Sequence, residues 1–144
     1  IVTNAAAQYW NGPNATPQGN PGGSGGTGTW NAATTNRTNA GGNANAAWLG
    51  TAGAVFSGSA GTVTVANGFT ATAPSLSFET DGYTLAADGT GAVALSDSGL
   101  VTVQSGAATI SATLTGTASL VKVGPGTLAI TGSNTYTGAT WVRG

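Results

Sequence analysis

Two carboxylates near the middle of the chain have a spacing that acid–base or metal chemistry could use. Glu79 and Asp81 lie two residues apart, so in a regular strand they would share one face. Glycosidases use two carboxylates about 5–9.5 Å apart, and metal sites also collect acidic side chains. The sequence Thr80-Asp81-Gly82, however, is typical of a turn in which the aspartate accepts backbone N–H groups. We therefore interpret this pair as part of a turn.

The remaining reactive side chains are too few for catalysis or metal binding. The 144 residues include no Cys, no His, three basic and four acidic residues, so disulfides, thiolates and imidazole bases are excluded. Asp88 and Asp97 are predicted to lie in turns, because calcium requires about six to eight oxygen ligands. Residues 19–28 are glycine-rich but lack the Lys and the helix of a phosphate loop. We predict no catalytic, cofactor-binding or metal-binding residue, no cofactor, and no enzymatic activity.

The low charge also limits the classes of partner. A formal net charge of −1 cannot drive binding to nucleic acid or to an anionic membrane surface. No apolar run approaches the roughly 18 residues that a membrane span needs, so we predict no span in this segment. No secretion leader is evident, and neither terminus is typical of a domain edge. We expect a processed or excised segment.

Short alternating apolar clusters recur along the chain at a nearly constant interval. Their last apolar residues are Val65, Leu85, Val103, Val123 and Val142, at steps of 20, 18, 20 and 19 residues. Repeats of this length are typical of a solenoid. We predict an all-β fold, a right-handed parallel β-helix (β-solenoid) with a single domain over residues 1–144, whose cluster residues stack inside successive coils about 4.8 Å apart. The alternative is an antiparallel β-sandwich, which the period fits less naturally.

The tryptophans extend the same interval towards the N-terminus. Trp10, Trp30 and Trp48 are 20 and 18 residues apart, so we expect them to stack inside successive coils. Asn11 and Asn31 each follow one of these tryptophans. We expect their side chains to form a hydrogen-bonded ladder along the axis.

Other segments are predicted to face solvent. Residues 11–28, rich in Gly, Pro and Asn, are expected to form a surface excursion, because Pro cannot donate to a β-ladder. Lys122 is expected to point outward between two inward valines, Val121 and Val123. Trp141 is one residue out of step with the inward series. It is therefore our best candidate for an exposed contact residue.

The C-terminal part of the chain closely resembles a known repeat. Residues 124–138 read GPGTLAITGSNTYTG, and this resembles the GxGTLxLxGxNTYTG signature of the autotransporter-associated β-strand repeat, or passenger-associated transport repeat. We assign this repeat motif to residues 120–142. The resemblance extends to shorter motifs upstream, at residues 28–31, 47–48, 54–65 and 80–85. The motif residues to which it assigns a structural role are Gly124, Gly126, Thr127, Leu128, Gly132, Asn134, Tyr136 and Gly138.

The resemblance implies a secreted bacterial β-solenoid, located outside the cell or on the outer-membrane surface. No capping segment is evident at either end, so we predict that copies stack head to tail into a homo-oligomer or filament, or that the chain is part of a longer passenger. The predicted function is that of a structural module in a fibre, adhesin or biofilm matrix, with a glycan or a host surface as partner. The alternatives are a glycan-binding module that uses Trp141, and a polysaccharide-active enzyme on the same solenoid shape.

Overall fold

The computed structural model describes residues 7–144, and within that range it contains fourteen β-strands and no helix. Turn residues interrupt the apolar clusters every few positions, so most strands are short. In chain order they are β1 Gln8–Trp10, β2 Gly28–Trp30, β3 Arg37–Thr38, β4 Asn45–Ala46, β5 Ala54–Phe56, β6 Thr62–Val65, β7 Thr70–Phe78, β8 Tyr83–Ala87, β9 Ala92–Val103, β10 Ala107–Ile110, β11 Thr113–Thr115, β12 Leu120–Val123, β13 Thr127–Ile130 and β14 Thr140–Arg143.

The strands form three faces around one core. The first face contains β1, β5, the second halves of β7 and β9, β12 and β14. The second face contains β2, β6, β8, β10 and β13, and the third contains the first halves of β7 and β9 together with β11. All of these neighbours pair in parallel, which confirms the predicted β-solenoid and excludes the antiparallel sandwich.

The length of a coil differs from the predicted nineteen residues. Along the first face, Ala54, Leu76, Val101, Lys122 and Val142 lie side by side, at steps of 22, 25, 21 and 20 residues. A coil has a fixed height but not a fixed number of residues, because the corners absorb insertions. The longest step contains residues 96–99, an extra loop at the corner of β9 opposite Pro74.

The predicted inward ladder was therefore wrong in its register. Val65 lies beside Ala87 on the second face. Val103 lies beside Phe78 on the first face, and Val123 lies beside Thr102. The sequence clusters had been drawn from different faces, so their regular spacing did not correspond to stacking.

The core changes in composition along the axis. Near the N-terminal end it is aromatic, and the rings of Phe56 and Phe78 stack with centroids 5.0 Å apart. Further along it is aliphatic, with Leu85 and Ile110 paired on the second face. Each of these side chains is fully buried. The two halves of the solenoid are therefore held by different kinds of side chain.

An antiparallel pair of strands covers the N-terminal end of the core. β3 pairs antiparallel with β1, and β4 pairs antiparallel with β3. The expectation that no cap is present was therefore wrong for this end, because a two-residue strand carries no readable sequence pattern. In the predicted excursion, residues 15–21 are all exposed, whereas Gly23 and Gly25 are buried. Among the described residues, nothing helical is long and apolar enough to cross a membrane.

Candidate functional site

A single arginine occupies the centre of the aromatic cluster under β3. The guanidinium carbon of Arg37 lies 4.7 Å from the ring centroid of Trp10, 4.1 Å from that of Trp30, 4.9 Å from that of Trp48 and 5.2 Å from that of Phe56. The faces of aromatic rings attract a cation, most strongly when water is excluded. The guanidinium is flat and weakly hydrated, which suits it to stacking among rings.

Arg37 is nearly inaccessible to solvent, at 1% exposure. Its Nε, Nη1 and Nη2 atoms find no hydrogen-bond partner among residues 7–144. Burial lowers the pKa of Arg37 to about 9, and the nearby Tyr83 counters this only in part. The side chain remains a cation at neutral pH, stabilised by the rings rather than by a carboxylate.

Tyr83 borders this cluster from the second face. Its hydroxyl donates to the carbonyl oxygen of Ser57 at 2.5 Å, and its ring packs 5.7 Å from that of Phe56. Burial raises the pKa of Tyr83 to about 12, although the neighbouring backbone at Gly26 and the Arg37 cation favour the ionised form. The phenol therefore stays neutral and holds the corner of the first complete coil.

Side-chain amides satisfy backbone groups at the same end. Gln8 donates through Nε2 to the carbonyl oxygen of Ala47 at 2.9 Å, and its Oε1 accepts from the N–H of Leu49 at 2.7 Å. The buried Asn36 donates to the carbonyl oxygens of Gly12 and Thr29, both at 3.0 Å. An uncovered strand edge is a template for further pairing, and these amides reduce that edge.

The predicted asparagine ladder is absent from the described structure. Asn11 accepts from the N–H of Ser24, whereas Asn31 accepts from the N–H groups of Ala33 and Thr34 in a local turn. The side chains bond their own neighbourhoods because turn backbone offers free donors closer than the next coil does.

The tryptophans are buried as predicted but are arranged differently. Trp10 and Trp30 are fully buried and Trp48 is 9% exposed. They surround Arg37 in one layer instead of stacking in successive coils, because the chain between β2 and β5 forms the cap and not a further coil. The sequence signal that could have located this site is Arg37 itself, since a basic residue close to three tryptophans is a candidate for cation–π contact.

The motif glycines of residues 124–138 lie where successive coils touch. A Cβ atom on Gly126, Gly132 or Gly138 would stand 2.5, 2.6 or 2.3 Å from atoms of the preceding coil. Gly124 has a φ of +89° as well, a conformation that other residues rarely adopt. These positions accept only glycine because the neighbouring backbone lies about one strand spacing away.

The other motif residues connect the repeat to the coil before it. Asn134 Oδ1 accepts from the N–H of Leu114 at 2.8 Å. Leu128 and Tyr136 pack against the core, and the Tyr136 hydroxyl is 2.6 Å from Thr140 Oγ1. Thr127 is exposed. The motif thus fastens one coil to its neighbour through polar and apolar contacts together.

Lys122 points inward, so the prediction of a solvated lysine was wrong. It lies beside the buried Val101 and is 7% exposed. Its Nζ donates to the carbonyl oxygens of Gly124 at 2.5 Å and Gly144 at 3.2 Å. The valines on either side face outward, because the aliphatic stem of a lysine can line a core while its amine reaches polar atoms. Trp141 faces outward and is 54% exposed.

The carboxylates do not form a reactive site in the described structure. Asp81 accepts from the N–H of Ala107 at 2.7 Å and so links two coils. Glu79, Asp88 and Asp97 are exposed. Within residues 7–144, no three His, Cys, Asp or Glu side chains come together in a group that could hold a metal ion.

The fold and these contacts define a parallel β-solenoid with a covered N-terminal end and a repeat coil near its other end. The family model of the passenger-associated transport repeat matches residues 120–144. The chain is 38% identical over 143 residues, or 97% of its length, to the adhesin BmaC autotransporter of Brucella suis biovar 1 (strain 1330). These matches identify the chain as an autotransporter repeat protein.

The chain spans about 4% of the length of that relative. No solved structure matches the chain.

Proposed function

We propose that the chain is an adhesin-type structural module on the surface of a bacterium or outside the cell. The observation that carries this proposal is the 38% identity to an adhesin autotransporter over nearly the whole chain. The fold supports it, because stacked coils give a stiff rod about 4.8 Å longer with each coil. A rod of this kind holds a contact surface away from the cell envelope.

A structural role fits the chemistry better than an enzymatic one. Two of the three basic side chains, Arg37 and Lys122, are buried, and the exposed Asp81 is used in a backbone contact. A polysaccharide-active solenoid would need acidic and basic groups gathered along one face. Incubation with common polysaccharides is expected to release no reducing sugar, and release would favour the enzyme instead.

The decisive experiment measures attachment to cells. The purified chain, labelled with a fluorophore, is expected to bind host epithelial cells saturably and to compete with its own unlabelled form. A heat-unfolded sample is the matched control. Equal signal from the folded and unfolded samples, or no saturable binding, would contradict the proposed function.

Stacking of copies into a fibre or a biofilm matrix is a further part of the proposal. The N-terminal core is covered by β3 and β4, so end-to-end stacking requires pairing on the cap surface or displacement of the cap. Electron microscopy of concentrated protein is expected to reveal short linear assemblies. Dispersed monomers at every concentration would restrict the function to a non-polymerising module.

A further inference from the structure

The outer surface of β14 combines two side chains that other described parts of the molecule keep apart. Trp141 is 54% exposed, whereas the other three tryptophans are buried. Arg143 is exposed on the same strand, two residues further on. Residues two apart in a strand project from the same face, roughly 7 Å apart along the chain.

Arg143 is also the one basic residue that the described structure leaves accessible. Arg37 and Lys122 are 1% and 7% exposed. All four acidic residues, in contrast, are exposed. The surface of residues 7–144 therefore repels anions except near Arg143.

The strand register surrounds this pair with neutral side chains. Trp141 lies beside Val121, which lies beside Leu100. Arg143 lies beside Val123. No carboxylate occupies these outward positions, so nothing beside β14 neutralises the guanidinium, and the aliphatic neighbours lower the local dielectric constant.

We infer that Trp141 and Arg143 form a binding site for carboxylate-bearing sugars. The apolar face of a pyranose ring stacks on the indole, and the sugar carboxylate pairs with the guanidinium, which suits carboxylates in a two-pronged geometry. This inference rests on the proposed adhesin function and names the class of ligand. Sialic acids and uronic acids share the required chemistry.

Titration of the purified chain tests the inference. The probes are 3′-sialyllactose, tri-galacturonate and neutral lactose, with acrylamide quenching of tryptophan fluorescence as the readout. Because the other tryptophans are buried, quenching reports mainly on Trp141. At least one acidic sugar is expected to protect it from quenching with an affinity about tenfold above that of lactose. The two acidic probes distinguish a sialic-acid site from a uronic-acid site.

Substitutions separate the two contributions. In titration calorimetry, Trp141→Ala is expected to weaken acidic-sugar binding about tenfold or more. Arg143→Gln is expected to reduce the preference for acidic sugar over lactose to about onefold, and to remove the salt dependence of binding. Leu49→Ala, at an apolar side chain that is 56% exposed near the other end, is the matched control and is expected to bind as the wild type does.

The outcomes distinguish this inference from the proposed function. Equal affinity for acidic and neutral sugars, or full binding by Trp141→Ala, overturns the sugar site. If the wild type still attaches to epithelial cells in that case, the adhesin function stands and uses another surface. Loss of sugar binding in both variants with unchanged melting temperatures supports the site.

Discussion

At the N-terminal end the core encloses Arg37 among aromatic rings, whereas the repeat coil encloses Lys122 beneath two carbonyl oxygens. The difference follows from the two cations. A guanidinium is flat and weakly hydrated and stacks well, whereas an ammonium is a compact charge that needs oxygen acceptors. The N-terminal end is therefore closed by packing, and the repeat coil is fastened by polar contacts and glycine corners.

Removal of one aromatic ring at the closed end is expected to have the largest effect. Phe56 is fully buried against Trp10, Trp30, Phe78 and Tyr83, so Phe56→Ala should lower the free energy of unfolding by about 4 kcal/mol. Urea denaturation followed by circular dichroism measures this.

The matched substitution in the repeat coil is Ile130→Ala. Ile130 is only partly buried, so its loss should cost about 1–2 kcal/mol. Equal costs for the two variants would show that both ends rely on packing to the same extent.

Substitution of the enclosed arginine comes next. Arg37→Ala leaves a cavity between the rings and is expected to cost about 3 kcal/mol in the free energy of unfolding. Arg37→Met keeps most of the volume and removes both the desolvation penalty and the cation–π attraction, so its cost should be about half as large. If Arg37→Met were as damaging as Arg37→Ala, the charge itself would hold the cap.

Glycine corners provide the corresponding test of the repeat coil. Gly138→Ala would place a Cβ atom 2.3 Å from the Ala118 carbonyl oxygen, and it is expected to cost about 2 kcal/mol. Gly50→Ala is the control, because its nearest neighbour would be 3.7 Å away and its φ is not positive. We expect its melting temperature to stay within a degree or two of the wild type. A similar shift in both variants would mean that lost backbone flexibility, and not close approach, governs these sites.

The smallest expected effect is a dependence on alkaline pH at the closed end. The pKa of Tyr83 is raised to about 12 in the folded protein, so its contribution is complete below pH 10 and is lost as the pH rises from 10 to 12. The pKa of Arg37 is lowered to about 9, so above pH 9 the folded protein releases that proton first and gains stability in the same range.

Tyr83→Phe removes only the falling component. Relative to the wild type, the variant is expected to gain about 1–2 kcal/mol in the free energy of unfolding between pH 9.5 and pH 11.5. Urea titrations at the two pH values measure this difference. A constant difference would show that the phenol ionises equally in both states.

The sequence predicted the solenoid class because alternating clusters and glycine corners are local signals. It located the repeat coil well, since residues 124–138 carry their own signature. It did not predict the register, because Val65 and Val103 belong to different faces and corner loops change the length of each coil. Burial of Lys122 was also missed, because alternation alone favoured the valines as inward residues.

The cap was beyond sequence reasoning for a different reason. Its strands have two residues each, and its contacts join positions far apart, such as Gln8 with Ala47 and Leu49. Only the folded arrangement brings Arg37 to the three tryptophans. Trp141 could be chosen from its parity within the strand, whereas its pairing with Arg143 emerged when the other two cations proved to be buried.

The covered N-terminal end has a consequence for the order in which the chain can fold. The strands of the cap and the rings that they cover all lie within residues 8–56, ahead of the regular coils. Each later strand then pairs mainly with one that precedes it by 20–25 residues, so every new coil finds a finished template beneath it. Structure can therefore spread in one direction, with early residues ordered before later ones are available.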